Sequence, residues 1–171
     1  DGLHILVNNA SSFYPTPFGD IDRQAWDDLI ASNYRAPLFL AQACYPSLRR
    51  NHGCIINMLD IYASRPLHQH SVYCSAKAAN RSLVESLALE LAPEVRVNGI
   101  APGAILWPEK TGSDKTGHDE PDSEQQRELL QRIPLNRLGG AQVIADTALF
   151  LATNDYITGE VIRVDGGRLL T

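Results

Sequence analysis

The chain has 171 residues, 44% of them hydrophobic, a formal net charge of −5 and three cysteines. That length supports one buried core and a single domain spanning residues 1–171, while the acidic balance and scattered Lys and Arg argue against a nucleic-acid partner. Cys44, Cys54 and Cys74 show neither CxxC nor Cys/His spacing, which speaks against a metal site or a disulfide framework and makes a reducing cytoplasm the expected compartment.

No apolar run approaches the ~18–20 residues that a membrane span needs, so no membrane is expected. The chain opens on strand-like sequence rather than on a leader. Residues 3–10, "LHILVNNA", read as a strand buried on both faces and ending in turn formers. A proline-containing loop follows. From Arg23 to Arg50, Trp26, Leu29, Ile30, Leu38, Leu40 and Ala41 recur at helical spacing, with Pro37 expected to kink the helix or to lie in a locally broken turn.

Gly53–Asp60 reads as a second buried strand, and Val72–Leu91 as a long Ala- and Leu-rich helix that Pro93 stops. Val95–Gly103 is the third strand. The polar stretch 109–126 is a loop, Ser123–Arg132 and Ala141–Ala152 are helical, and Gly159–Gly167 is the last strand. Buried strands alternating with helices predict an α/β fold on a parallel sheet. In such sheets ligands sit beyond the carboxyl ends of the strands, which should gather 8–12, Asp60 and 102–103 along one rim.

Tyr73 and Lys77 stand at i and i+4, so they share one helix face. An unperturbed phenol titrates near ~10, and a neighbouring ammonium favours its ionised form; the pair therefore suggests a proton donor. Asp60 lies thirteen residues upstream of Tyr73. An ionised carboxylate facing a developing alkoxide would repel it, which suits Asp60 poorly to C=O reduction. Reduction of C=N needs a proton on nitrogen, and a carboxyl can help deliver one. Asn33 falls inside the first long helix, where an amide is mildly unfavourable unless it bonds something.

In this order, the NNA turn, Asn33, Asp60, the YxxxK pair, VNGIAPG and the closing ITGEVIRVDGG resemble the short-chain dehydrogenase/reductase family. "NNASSFYPTP" together with Asp60 is similar to its pteridine reductase subfamily. The resemblance implies a Rossmann-type, doubly wound parallel sheet that binds NADPH and reduces a dihydropterin, and also oxidised pterin or dihydrofolate, to the tetrahydro form. It implies Tyr73 as the acid, Lys77 lowering the Tyr73 pKa and holding the nicotinamide ribose, and Asn33 anchoring a water that leads to Lys77. Asn9, Ala10 and Ser11 would meet the cofactor, as would the backbone of Pro102, Gly103, Ala104 and Ile105. Phe13 would stack on the pterin with Ser11 bonded to the pterin or a phosphate, and Leu106 and Trp107 would wall the pocket. Residues 107–126 would form a substrate lid, and helices 23–50 and 72–91 would pair copies into a homotetramer.

The family's glycine-rich phosphate loop does not occur upstream of Leu3. The chain therefore reads as the later part of the fold, without the first β/α units. The alternatives are a general ketone or 3-oxoacyl reductase and an inactive dinucleotide-binding regulator.

Overall fold

The computed structural model describes residues 2–107 and 124–171. Four strands, β1 (Ile5–Asn8), β2 (Cys54–Met58), β3 (Arg96–Pro102) and β4 (Val161–Val164), form one sheet in the order β1-β2-β3-β4. Every pairing is parallel, with Ile5 opposite Cys54, Cys54 opposite Arg96 and Gly99 opposite Val161. The helices are α1 (Arg23–Ile30), α2 (Ala36–Arg50), α3 (Ser71–Leu91), α4 (Glu124–Gln131) and α5 (Ala141–Thr153). The α/β expectation holds, and all four expected strands are present but shorter, because their ends run beyond the partners that complete the ladder.

Alternation along β2 explains the layers. Ile55 points into a core with Ala41, Leu48, Val84, Ala88 and Val97, which α2 and α3 complete on one face of the sheet. Cys54 and Ile56 point to the other face, where Leu151 of α5 meets them with Ile100. Ile5 and Val7 extend that second face along β1, and each stays 46% exposed. Burying such side chains is worth roughly 1.5–3 kcal/mol apiece, so the central strands dominate the stability.

The first long helix is continuous but not uniform. Between α1 and α2 the residues Ala31–Arg35 form a π-helical stretch, in which the Ala36 N–H reaches back to the Ala31 carbonyl. Pro37, buried in the first turn of α2, has no N–H to offer the Asn33 carbonyl four residues earlier. The locally broken turn expected near Pro37 is therefore this wider stretch, and a second proline, Pro46, sits inside α2. Freed from the helix ladder, the Asn33 carbonyl accepts a bond from Asn80 Nδ2 at 2.8 Å.

Pro93 follows α3, whose cap Ala92 is extended. The substrate-lid expectation falls chiefly on 108–123, outside the described residues. Of that segment, Glu124–Gln126 open α4.

Candidate active site

β2 leads directly into the site. Past Met58 the chain stays extended through Asp60 (φ −163°, ψ 154°), whose carboxylate caps the short 3-10 turn Ile61–Ala63 by accepting the Tyr62 N–H at 2.8 Å. The same carboxyl presents Oδ2 to the Tyr73 hydroxyl, which donates to it at 2.8 Å. Asp60 thus points into the cleft shared with Tyr73.

Tyr73 and Lys77 lie on the inner face of α3, 3% and 2% exposed. The Lys77 ammonium sits 5.7 Å from the Tyr73 ring centre and donates to the Met58 carbonyl at 2.9 Å. Burial brings the Lys77 pKa down to about 8, against the opposing pull of the Asp60 charge. Burial also raises Asp60, although the Tyr62 amide, the Tyr73 hydroxyl, Lys77 and Arg168 all favour its ionised form.

Tyr73 departs from expectation. Burial first, then the charge and hydrogen bond of Asp60, push its pKa upward. The resemblance implies a phenol made more acidic by Lys77; here the phenol is held protonated, because the carboxylate is its direct partner while the ammonium stands beside the ring. A phenol held this firmly is a weaker acid than a free one, and protonation of Asp60 would remove the charge that helps hold it so.

Asn33 is a junction. Its Oδ1 accepts from Ser11 Oγ at 2.6 Å, and its Nδ2 donates to the Ser12 carbonyl at 2.9 Å, which pins the loop after β1 to the π-helical stretch. Behind it runs a buried amide chain. Asn8 Nδ2 donates to Asn57 Oδ1 (2.8 Å), Asn57 Nδ2 to Asn80 Oδ1 (2.7 Å), and Asn80 Nδ2 to the Asn33 carbonyl. Asn33 makes no direct bond to Lys77. Amides in an apolar interior are costly unless bonded, so this chain fixes the relative places of β1, β2, α3 and the helix before α2.

Phe13 comes to the same cleft. Its ring meets Tyr73 edge-on, with centroids 4.8 Å apart and planes at 73°, and stacks on His70 at 4.8 Å and 16°. Phe13 remains 54% exposed, which leaves a face for a flat ligand. Asn9, Ala10 and Ser11 lie exposed beyond the carboxyl end of β1. At the end of β3, Gly103 approaches Asp165 so closely that an added Cβ would lie 2.7 Å from the Asp165 Cβ. The Gly103 N–H donates to the Val164 carbonyl (2.9 Å), while the carbonyls of Ala104 and Ile105 accept from Gly139 (3.1 Å) and Gly140 (2.9 Å). Those bonds occupy the Ala104 and Ile105 carbonyls and the Gly103 amide. Leu106 is 53% exposed, and Trp107 is half-buried beside it.

The structure therefore brings Asp60, Tyr73, Lys77, Ser11, Asn33 and Phe13 together. Asn57, Asn80 and His70 were not anticipated. A polar residue inside the run "CIINM" signals Asn57, and Asn80 stands one turn past Lys77 on the same helix face.

Fold and cluster together define the class, a parallel α/β protein of the kind oxidoreductases are built on. Residues 1–168 match the family model described as "Enoyl-(Acyl carrier protein) reductase". Pteridine reductase 1 of Leishmania tarentolae is 38% identical over 192 residues, covering 98% of this chain and 63% of that protein. L-xylulose reductase of Bos taurus is 34% identical over 174 residues, covering 99% of this chain and 69% of that protein. Among solved structures, a blue fluorescent protein from a metagenomic library, crystallised in complex with NADPH, superposes with a TM-score of 0.83 at 30% identity, covering 98% of this chain and 65% of that one. The chain belongs to the short-chain dehydrogenase/reductase family. It spans 63% of the length of the pteridine reductase it matches.

Proposed function

We propose that the protein is an NADPH-dependent pteridine reductase, transferring hydride to a C=N bond of a dihydropterin, with oxidised pterin and dihydrofolate as further substrates. The observation that carries this reading is the Tyr73 hydroxyl donating to Asp60 at 2.8 Å. The contact serves proton delivery once Asp60 is protonated and the bond is reversed: Tyr73 hands its proton to a ring nitrogen while the Asp60 carboxyl donates to the phenol oxygen. The upward shift of the Asp60 pKa keeps the carboxyl available in its neutral form nearer to neutrality than an exposed carboxylate would be. Once the proton has left, Lys77 and Arg168 favour the carboxylate that remains.

The residues present fit a dinucleotide. An ammonium has three donors, and buried Lys77 gives one to the Met58 carbonyl, which suits the others to ribose hydroxyls. Asn9, Ala10 and Ser11 at the end of β1 and the amides after Gly103 at the end of β3 lie on the rim where such a ligand binds. When bound, the reduced nicotinamide supplies the hydride. Phe13, backed by His70, holds the flat substrate by stacking, Ser11 bonds its edge, and Leu106 and Trp107 wall it. The resemblance to pteridine reductase 1 favours NADPH and a pterin. Pairing of copies through α2 and α3 into a tetramer belongs to the same proposal; Phe39, Leu40 and Leu89 on those helices are exposed.

A second reading, a general ketone or 3-oxoacyl reductase, is favoured by the likeness to L-xylulose reductase and by the matched family model. A silent dinucleotide-binding regulator would not need both Tyr73 and Lys77, and both are in place. Following NADPH absorbance with dihydrobiopterin and with an acetoacetyl thioester separates the readings. The pterin should be consumed far faster; thioester turnover without pterin turnover would overturn the proposal.

A further inference from the structure

Past β4 the chain makes a tight turn that the chemistry above leaves without a task. Asp165, 8% exposed, accepts the Gly167 N–H and the Leu169 N–H, each at 2.9 Å, and pairs with Arg163 at 3.4 Å. Gly166 and Gly167 lie at φ 62° and 88°, and a Cβ on Gly167 would come 2.9 Å from Pro134 Cγ. Only glycine takes that path without strain. The turn ends in the short 3-10 stretch Arg168–Leu170 and carries Arg168 back to the loop that follows β2.

There Arg168 meets Tyr62. Its Nη2 donates to the Tyr62 hydroxyl at 2.9 Å, and its guanidinium carbon stands 5.8 Å from the ring centre. Tyr62 in turn gives its backbone N–H to Asp60 Oδ1 at 2.8 Å, while Asp60 Oδ2 takes the Tyr73 hydroxyl. A connected set of contacts thus runs from the end of β4 to the phenol. A guanidinium is rigid and stays charged across the working pH range, so the loop carries a permanent cation.

Tyr73 and Lys77 face Asp60 from α3, Tyr62 from its own turn and Arg168 from the segment after β4. Arg168, Arg132 and Cys74 stand around Tyr62. Burial raises the Asp60 pKa most strongly, and Lys77 and Arg168 are the cations that oppose the rise. Lys77 loses its charge as pH passes about 8, whereas Arg168 keeps its own.

We propose that Arg168 is a positioning residue for proton delivery: clamped on Tyr62, it steadies the turn that aims Asp60 at Tyr73, and its fixed charge favours the ionised carboxyl. It acts through Tyr62 and Asp60 rather than on the substrate. Burial is thereby kept from locking the carboxyl in its neutral form, so that Asp60 can release a proton as well as hold one. The consequence for turnover rests on the reading of the Asp60–Tyr73 pair as the proton path; the charge relation between Arg168 and Asp60 does not.

Arg168→Gln removes the charge and keeps a donor for the Tyr62 hydroxyl, while Arg168→Lys keeps the charge. Arg168 is half-buried, and Arg168→Met, which keeps an apolar stem over the Tyr62 ring, serves as a second uncharged variant. Loss of a neighbouring cation raises a carboxyl pKa. In the full-length protein labelled with carbon-13 at the aspartate carboxyls, the Asp60 signal is identified by its loss in Asp60→Asn and followed by NMR against pH. Its midpoint should rise by at least about half a pH unit in Arg168→Gln and Arg168→Met, and stay within about 0.2 unit of native in Arg168→Lys. An unmoved midpoint in the uncharged variants, or an equal rise in the lysine variant, would overturn the proposal. With NADPH and dihydrobiopterin, the limb on which kcat falls as Asp60 ionises should move to higher pH in the uncharged variants. An unmoved limb would overturn the role in delivery; a raised midpoint without any pterin turnover supports the role of Arg168 and overturns the pterin reading alone.

Discussion

The Tyr73 hydroxyl donates to Asp60 Oδ2 at 2.8 Å, and both groups have their pKa values raised, with burial as the largest cause. We propose that the pair acts as a proton relay when Asp60 carries a proton of its own, the carboxyl reprotonating the phenol as the phenol gives up its hydrogen. The relay gives the position its chemical character, since a hydroxyl in place of Asp60 could polarise a carbonyl but could not hold a proton in reserve.

Tyr73→Phe removes the terminal donor and leaves the ring that Phe13 and Lys77 contact. General acid catalysis is worth about 10²–10⁴-fold, so kcat should fall by that order. Cofactor affinity, read by NADPH fluorescence titration, should change by no more than about twofold, because Lys77 keeps its bond to Met58.

Lys77 titrates at about 8, so it holds its charge below that pH and loses it above. If its charge holds the cofactor ribose, kcat/KM should decline as pH rises through about 8. The Asp60 charge raises the Lys77 pKa, so Asp60→Asn should move this alkaline limb to lower pH. A pH–rate profile in which the limb stays put in Asp60→Asn would disconnect Lys77 from the decline.

Asn80→Ala leaves the Asn57 amide and the Asn33 carbonyl without their partner in a region where Asn57, Asn80 and Asn33 are each no more than 1% exposed. An unsatisfied buried group costs about 1–3 kcal/mol, so urea denaturation should show a loss of at least that size.

Much of this was legible in the sequence, and the remainder shows where sequence reading stops. The buried strands announced themselves as short apolar runs, and Tyr73 and Lys77 had to share a face because helical periodicity demands it. Asp60 could be placed at a strand end but not aimed. Its direction depends on the extended backbone at Asp60 and on the 3-10 turn that its own side chain caps. The amide chain was hidden for a related reason: Asn8, Asn57 and Asn80 are separated by intervals of 49 and 23 residues, and only the strand register of Asn8 with Asn57 and the packing of α3 on the sheet bring them into line. The direction of the Tyr73 shift was misjudged because the helix spacing revealed the ammonium while concealing which neighbour the hydroxyl would touch. Arg168 and Tyr62, 106 residues apart, carry no local signal at all.

Gly103→Ala tests the packing at the end of β3. The new Cβ would lie 2.7 Å from the Asp165 Cβ and 2.8 Å from its Cα, and neither atom belongs to a flexible side-chain end. Overpacking of this kind costs about 1–3 kcal/mol, and relief requires shifting the segment proposed to face the nicotinamide. Thermal melting should show the loss of stability, and NADPH titration a weaker complex; an alanine variant equal to the native protein in both would remove Gly103 from the cofactor rim.

The central claim is that an acid at position 60, relayed through Tyr73, sets the electrophile. The most direct measurement is the ratio of kcat/KM for dihydrobiopterin over a ketone or acetoacetyl thioester, in the native protein and in Asp60→Ser. The account predicts a ratio well above one in the native protein that drops by at least tenfold in Asp60→Ser, with carbonyl reduction gained or unchanged as pterin reduction falls. A ratio that the substitution leaves unaltered would contradict it.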